Sequence, residues 1–228
     1  MIVIALDFSK AFDTVRHSSL LKKFAKLDLP DNVYNWLVDY HEDHSHCASY
    51  QGETSKLLHI SGSIIQSSGV GPAAYIVTAS DLQAITPGNL LCKYADDSYL
   101  IVPSSNADTR SAELSNVEAW ARRNNLKLNQ TKSVEVILTS RKRRQQALPP
   151  APHPGIGRVS SVKILGVTIS SSLSVSQHVT NVVNSCAQTT YALRTLRAHG
   201  MSDSTLKMVY RSEIVAKLLY AGTFSAAT

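Results

Sequence analysis

Residues 91–102 read LCKYADDSYLIV, two apolar runs rich in strand-forming residues that flank the adjacent carboxylates Asp96 and Asp97. This pattern predicts a β-hairpin that holds both carboxylates at its tip. Two neighbouring negative charges repel each other unless a cation lies beside them, so the tip is a candidate metal site. Because Asp-Asp is also a common turn dipeptide, a turn without any ligand is the simpler interpretation of this stretch alone.

The composition is that of an ordinary globular protein, because 43% of the 228 residues are hydrophobic and 18% are charged. The formal net charge of +6 favours a polyanionic partner, although ribosomal and nuclear proteins share this balance. The three cysteines, Cys47, Cys92 and Cys186, lack C-x-x-C spacing, which predicts reduced thiols. No apolar run reaches the roughly 18 residues of a membrane helix. We therefore expect a soluble intracellular protein of the cytoplasm or nucleus, with no membrane partner.

The chain order of strands and helices predicts an α+β fold, with an antiparallel sheet and helices on one face. The apolar run 2–6 predicts a buried strand that ends at Asp7. Asn106 or Asp108 is expected to cap the longest helix of the first half. The predicted strands and hairpins are 2–6, 48–60, 90–102, 134–138 and 162–169, and the predicted helices are 17–27, 31–40, 73–84, 106–125, 175–196 and 204–220. Two helix faces are predicted to be apolar, one formed by Val33, Trp36, Leu37 and Tyr40, the other by Leu114, Val117, Trp120 and Ala121.

One change in composition suggests a domain boundary. Residues 141–144 are RKRR, and residues 149–155 are rich in proline. The sequence therefore predicts a first domain over 1–140, a basic and proline-rich linker over 141–158, and a second region over 159–228 with a hairpin and two helices. The basic run could contact nucleic-acid phosphate, act in nuclear import, or be solvated; we favour nucleic acid.

Carboxylates are predicted at the ends of two separate strands. Asp7 ends the first strand, and Asp96 and Asp97 lie at the hairpin tip, so a sheet that aligns these ends forms a three-carboxylate cluster. Such an oxygen-only cluster suits Mg²⁺. Two such ions about 3.5–4 Å apart serve in-line phosphoryl transfer. The sequence thus predicts a two-metal site built from Asp7, Asp96 and Asp97.

Five segments in order resemble motifs A to E of reverse transcriptases, and in particular those of non-LTR retrotransposons. The match runs to about residue 180, and the helices that follow are similar to the thumb region. The segments are DFSKAFDTV at 7–15, QSSGVGP at 66–72, YADD at 94–97, LKLNQTK at 126–132 and ILGV at 164–167. The resemblance implies an RNA-directed DNA polymerase with a palm fold followed by a helical thumb-like region. Its implied partners are an RNA template, a DNA primer and dNTP, and its implied cofactor is two Mg²⁺ ions, with Mn²⁺ as an alternative.

Roles for individual residues follow from this resemblance. It implies that Asp7, Asp96 and Asp97 bind the metal ions, helped by the backbone carbonyl of Phe8. Phe12 matches the aromatic steric gate that excludes a ribose 2′-OH, while a core phenylalanine is the alternative. The remaining roles are nucleotide binding by Gln66 with Phe8 and Phe12, primer contacts by Tyr94, Leu165 and Gly166, and protonation of pyrophosphate by Lys132.

Without the resemblance, Tyr94 would be a strand tyrosine with a buried face, and Lys132 a surface lysine. Lys10 and Asp13 also belong to the first motif, and we expect structural or electrostatic roles for them.

Two departures from the family pattern affect these expectations. Ser67 stands where the family usually has glycine, so a Cβ enters a position where template or nucleotide packs closely. The chain also begins at the first motif, and from the resemblance we expect a truncated copy without the fingers segment.

Two other functions remain open from the sequence. A catalytically inactive truncated copy would retain only nucleic-acid binding, and another palm enzyme, such as an RNA-directed RNA polymerase or a nucleotide cyclase, would use similar carboxylates. A zinc site formed by His41, His44, His46 and Cys47 is disfavoured, because their spacing matches no structural zinc motif.

Overall fold

The computed structural model describes residues 1–65, 68–139 and 150–220 and contains two compact units. The first unit comprises Met1–Glu135 and Pro150–Arg158, and the second comprises the described residues of Val136–Pro149 and Val159–Thr228. Residues 141–149 of the predicted linker lie outside the described residues, as does the RKRR run. Residues 150–158, which the sequence places in the linker, belong to the first unit.

The first unit is built on a mixed sheet. Its strands are β1 Ile2–Leu6, β7 Leu90–Tyr94, β8 Asp97–Val102, β10 Val134–Ile137 and β11 Gly157–Arg158. They follow the order β11-β10-β1-β8-β7. The pairs β1–β8 and β7–β8 are antiparallel, whereas β10 and β11 are parallel. The predicted strand 2–6 and the predicted hairpin 90–102 are both confirmed.

The remaining strands of the first unit form small two-stranded ladders. β2 Phe8–Ser9 pairs with β9 Lys127–Leu128 and joins the first sequence motif to the fourth. The prediction of a single hairpin over 48–60 is wrong, because two separate two-stranded ladders occupy this region. In it, β3 Ser45–His46 pairs with β6 Leu58–His59, and β4 Ser49–Tyr50 pairs with β5 Glu53–Thr54. Gln51 and Gly52 form the β4–β5 turn, and both are left-handed, with φ of 50° and 86°.

Helices of the first unit lie close to the predicted positions, with ends set by specific contacts. They are α1 Ala11–Thr14, α2 His17–Phe24, α3 Asp31–His41, α4 Gly71–Ala79 and α5 Arg110–Arg123. α4 ends five residues earlier than predicted, because Lys23 and Lys93 donate to carbonyl oxygens of Thr78, Ala79 and Leu82 at this end. α5 has no side-chain cap and follows a 3₁₀ helix, Ser104–Thr109. Asn106 does not cap α5, because its amide donates to Pro87 and Asn89.

One of the two predicted apolar helix faces is buried. Leu114, Val117, Trp120 and Ala121 of α5 are at most 3% exposed, which confirms that face. The face predicted on α3 is only partly buried: Leu37 is buried, but Val33 and Trp36 are 39% and 51% exposed. The Trp36 ring stacks on Tyr40 instead, at 5.4 Å between centroids.

A buried ionic triad explains why residues 150–158 belong to the first unit. Glu135 on β10 is fully buried and accepts hydrogen bonds from Arg110 on α5 and Arg158 on β11. Arg110 also donates to the carbonyl oxygen of Ala151 at 2.8 Å. Residues 150–158 are therefore held by charge and by parallel strand pairing.

The second unit contains a hairpin and a helical region, as predicted. Strands β12 Ser161–Ile164 and β13 Val167–Ser170 form the hairpin. The helices are α6 Ser176–Ala198, α7 Asp203–Val209, a π-helical segment Tyr210–Val215, and α8 Ala216–Leu219. Within the described residues, none of the helices combines the length and the apolar character needed to cross a membrane.

Candidate active site

The β7–β8 hairpin and strand β1 bring two of the predicted carboxylates to neighbouring positions. Tyr94 pairs with Asp97 across the hairpin, which leaves Ala95 and Asp96 as the two turn residues. Ala95 has φ of 50°, a left-handed conformation that costs a non-glycine residue about 1–2 kcal/mol. Leu6 pairs with Ser98, so Asp7 and Asp97 occupy the next position at the same end of the two strands. The sheet register therefore aligns the strand ends as the sequence predicts.

The electrostatics of Asp97 reflect this arrangement. Partial burial, then the negative charges of Asp96 and Asp7, raise the pKa of the Asp97 carboxyl above its ordinary value. Like-charge repulsion of this kind is relieved when a cation binds between the carboxylates. The three predicted metal ligands thus interact electrostatically.

The donor chemistry of these carboxylates fits a hard cation such as Mg²⁺. Within residues 1–65, 68–139 and 150–220, however, no three His, Cys, Asp or Glu side chains converge closely enough to hold an ion as they stand. The ligand set of Asp7, Asp96, Asp97 and the Phe8 carbonyl therefore stays a prediction.

The backbone of Asp7 is fixed by the fourth motif. Its amide donates to the hydroxyl oxygen of Ser133 at 3.1 Å, and its carbonyl accepts from the amide of Asn129 at 2.8 Å. The Ser133 hydroxyl in turn donates to the Asn129 carbonyl at 2.8 Å. Ser133 is fully buried, and the sequence analysis did not identify it because nothing in the local pattern distinguishes it.

Phe12 lies on α1 and packs against α4. Its ring stacks on the ring of Tyr75, with 4.6 Å between the centroids and 25° between the planes. Phe12 is half-buried, whereas Tyr75 is 1% exposed. Burial, then the charge of Asp96, raise the pKa of the Tyr75 hydroxyl. Tyr75 is thus a site residue that the sequence analysis missed, and it links the predicted gate to the hairpin tip.

A cavity of about 520 Å³ gathers these elements, a volume typical of small-molecule sites. It lies between the first motif, the segment before α4 and the hairpin tip. The lining residues are Phe8, Lys10, Ala11, Phe12, Asp13, Ile65, Gly71, Pro72 and Asp96. Three of the residues with predicted nucleotide or metal roles, Phe8, Phe12 and Asp96, therefore line one cavity.

The loop before α4 is only partly described. Gln66 and Ser67 lie outside the described residues, so the predicted role of Gln66 and the effect of Ser67 stay predictions. Ser68 closes the turn, because its hydroxyl donates to the Ile65 carbonyl at 2.8 Å and accepts from the Gly71 amide at 2.9 Å. A Cβ on Gly71 would lie 2.7 Å from that carbonyl oxygen, so this turn requires glycine.

Two further predicted site residues of the first unit are exposed. Tyr94 is 66% exposed, which contradicts the alternative of a buried strand tyrosine. Lys132 is exposed and lies between Asn129 and Ser133, the two residues that fix Asp7. Its ammonium group forms no hydrogen bond or ion pair with the part of the chain that the structure describes. Both side chains are therefore accessible to a ligand, and their predicted roles stay predictions.

The predicted primer-gripping turn belongs to the second unit. Ile164 pairs with Val167, and the two turn residues Leu165 and Gly166 are both left-handed, with φ of 44° and 85°. The Tyr220 hydroxyl donates to the Leu165 carbonyl at 2.6 Å. The hairpin turn itself is confirmed.

The four residues of the histidine cluster do not converge as metal ligands. His41 is buried, and its Nδ1 atom donates to the Leu37 carbonyl at 2.7 Å. His46 and Cys47 are exposed, and within the described residues no three His, Cys, Asp or Glu side chains in this region lie close enough together to hold an ion.

Comparison with known proteins identifies the family. Residues 1–169 match the family described as "Reverse transcriptase (RNA-dependent DNA polymerase)". The RNA-directed DNA polymerase from mobile element jockey of Drosophila melanogaster is 29% identical over 195 residues, which cover 78% of this chain and 20% of that protein. The probable RNA-directed DNA polymerase from transposon X-element of the same species is 28% identical over 189 residues, with the same coverage. The chain thus spans about a fifth of the length of these curated relatives.

Solved structures support the fold. A telomerase from Candida tropicalis in complex with a TWJ fragment of telomeric RNA has a TM-score of 0.55 at 13% identity, covering 76% of this chain and 29% of that one. The apo telomerase of the same species, truncated from its C-terminal domain, has a TM-score of 0.53 at 16% identity, covering 76% and 34%. These likenesses agree with the predicted α+β polymerase palm, and the resemblance drawn from five motifs is confirmed. The chain belongs to the reverse transcriptase family of RNA-dependent DNA polymerases.

Proposed function

We propose that this chain carries the catalytic centre of an RNA-directed DNA polymerase of a non-LTR retrotransposon. In the reaction, the 3′-oxygen of a DNA primer attacks the α-phosphate of a dNTP, a new O–P bond forms, and pyrophosphate leaves. An RNA template directs the choice of dNTP. Because the chain spans only a fifth of its curated relatives, the template, primer and dNTP are part of the proposal.

The carboxylates at the strand ends are the centre of this site. Asp7, Asp96 and Asp97, with the Phe8 carbonyl, would hold two Mg²⁺ ions, whose charge activates the attacking hydroxyl and stabilises the leaving oxygen when they are bound. The proposal is supported above all by the register that aligns Asp7 with Asp97 beside a cavity lined by Asp96 and Phe12.

Other side chains of this chain select and orient the substrates. The Phe12 ring, held by its stack on Tyr75, would exclude a ribose 2′-OH. Lys132 would donate a proton to the departing pyrophosphate, and Tyr94 would pack against the primer end. These roles rest on family resemblance and on the exposure of both side chains.

An intracellular location, in the cytoplasm or nucleus, is also part of the proposal. Cys47, Cys92 and Cys186 are all free thiols, which suits a reducing compartment.

Primer extension tests the proposed reaction. The 228-residue chain is incubated with an RNA template, an annealed DNA primer, dNTP and Mg²⁺, and extension is compared with that of Asp96→Asn. We expect Asp96→Asn to lower the rate about a hundredfold or more, because the metal charge supplies several kcal/mol of transition-state stabilisation. Asp39→Asn, on the exposed surface of α3, is the matched control and should extend normally.

The same assay separates polymerase activity from nucleic-acid binding alone. The net charge of +6 supports salt-dependent binding of a primer–template duplex in either case. Salt-dependent binding without metal-dependent extension would reject the polymerase proposal and favour an inactive copy. Equal extension by the unmutated chain and Asp96→Asn would also reject it.

A further inference from the structure

His17, at the start of α2, contacts two backbone carbonyls from different parts of the first unit. Its Nδ1 atom lies 3.1 Å from the carbonyl oxygen of His41, and its Nε2 atom lies 2.9 Å from that of Ser63. The side chain is 7% exposed, so water does not replace either partner. Both ring nitrogens of one buried imidazole therefore face hydrogen-bond acceptors.

This geometry sets what each ring nitrogen must do. A carbonyl oxygen can only accept, so each contact needs an N–H on the histidine. Neutral imidazole carries one N–H and would direct the lone pair of its other nitrogen at a carbonyl oxygen. Only the imidazolium form satisfies both contacts, and hydrogen bonds from a charged donor are stronger than neutral ones.

The surroundings of His17 are compatible with a positive charge. His41 is the last residue of α3, so its carbonyl lies at the negative end of the helix dipole. Burial is the main cause that lowers the pKa of His41, and the charges of His17 and His44 lower it further. Neutral His41 therefore lies beside the cation without adding a second charge.

The titratable side chains that face His17 come from α3 and the residues after it. The rings of His41 and His44 lie 5.1 Å and 6.0 Å from its ring, and Tyr40 contacts both of these histidines. α4, which packs on α2, carries Tyr75 as its only titratable residue. The ion pairs Lys23–Asp81, Arg110–Glu135, Arg158–Glu135 and Lys217–Glu213 lie elsewhere.

The Ser63 contact belongs to a set of bonds that hold residues 61–65 against the first motif. The Ile64 amide donates to the Phe12 carbonyl at 2.6 Å, and the His17 amide donates to the Ser61 carbonyl at 3.1 Å. Residues 61–65 lead into the turn of Ser68 and α4, and Ile65 lines the cavity together with Phe12. His17 therefore helps to hold the segment that contributes Ile65 to the cavity wall.

We propose that His17 is a positioning residue of the nucleotide site: with an N–H on each ring nitrogen, it clamps residues 61–65, which bond to the Phe12 carbonyl, to the end of α3. Loss of one of these N–H groups releases one of the two carbonyls, so the order of residues 61–65 depends on this side chain. The clamp follows from the geometry, whereas its importance for nucleotide binding rests on the proposed polymerase function.

The protonation state is measured directly by NMR on the ¹⁵N-histidine-labelled 228-residue chain. We expect both ring nitrogens of His17 to carry protons in the folded chain, each seen as a ¹⁵N–H correlation. Assignment uses the loss of one signal set in His17→Gln. A single protonated nitrogen on His17 throughout the range of about pH 5 to 8 would overturn the proposal.

Hydrogen exchange measures the clamping itself. In His17→Gln, which can reach only one of the carbonyls, the protection of the Ile64 amide should fall roughly tenfold to a hundredfold, as expected for loss of a charged hydrogen bond. His46→Gln, on the exposed strand β3, is the matched control and should leave it unchanged. Unchanged protection in His17→Gln would overturn the proposal.

The ring-nitrogen signals separate clamping from a merely structural role, because a ring that only fills space needs one N–H at most. If His17→Gln fails to fold, the NMR spectrum of the unmutated chain still decides. Absence of primer extension by the unmutated chain would overturn the polymerase proposal alone, because neither readout uses catalysis.

Discussion

Replacement of Glu135 by glutamine should destabilise the first unit strongly. The Glu135 carboxylate is fully buried, and it lies 2.6 Å from Arg110 and 2.6 Å from Arg158. At an effective dielectric constant of about 20, each contact contributes roughly 6 kcal/mol of gross attraction. Desolvation of three charged groups offsets much of this attraction, so the net value of the intact triad is small.

Removal of the carboxylate alone is different, because two guanidinium groups then stay buried without a counter-charge. Arg110 is the more buried of the two, with 10% of its side chain exposed, and its Nε atom already has no hydrogen-bond partner within the described residues. We therefore expect Glu135→Gln to lower the free energy of unfolding by about 3–5 kcal/mol.

Urea unfolding monitored by tryptophan fluorescence is the appropriate assay. Both tryptophans, Trp36 and Trp120, belong to the first unit, and Trp120 is buried. Glu53→Gln, on the exposed strand β5, is the matched control and should change the free energy of unfolding by less than about 0.5 kcal/mol. A loss below about 1 kcal/mol for Glu135→Gln would refute the reasoning, because the triad would then be dispensable without compensation.

Three other predictions concern the gate, an acid-sensitive carboxylate and the second hairpin. Phe12→Ala should raise incorporation of ribonucleotides relative to deoxyribonucleotides in single-nucleotide extension, and unchanged selectivity would reject the gate. Burial acts to raise the pKa of Glu113, but hydrogen bonds from Asn89, Ile85 and Thr86 lower this pKa overall below the ordinary 4.5. The Glu113 carboxylate therefore stabilises the fold fully above pH 4.5, and this stabilisation is lost as pH falls through the folded-state pKa. Glu113→Gln should accordingly flatten the acid side of the profile of urea stability against pH. Gly166→Ala places a Cβ 2.9 Å from the Tyr220 ring, on a residue with φ of 85°. It should lower the free energy of unfolding of the second unit by about 1–3 kcal/mol, measured by urea unfolding followed by circular dichroism. An unchanged free energy of unfolding would contradict this prediction, because the turn would then accept a side chain without strain.

Local sequence patterns were sufficient to predict the elements that carry the candidate site. The β-branched run 2–6 and the hairpin 90–102 have side-chain patterns that favour strands whatever surrounds them. The positions of Asp7, Asp96 and Asp97 at strand ends follow directly from those elements. The five ordered motifs were sufficient to identify the family. Element ends were less predictable, because contacts such as those of Lys23 and Lys93 at the end of α4 come from distant residues.

The tertiary structure decided which distant residues support the site. Ser133 lies 126 residues from Asp7 and still fixes its amide, and Tyr75 reaches Phe12 across 63 positions. Nothing in the local pattern around His17, Ser133 or Glu135 distinguishes these polar residues from exposed ones. Their partners are set by how strands and helices pack in three dimensions, and a buried polar group must find its hydrogen bonds there. The sequence by itself determined the strands, the carboxylates and the family, whereas only the tertiary structure determined the partners that hold them, because those hydrogen bonds join segments that are far apart along the chain.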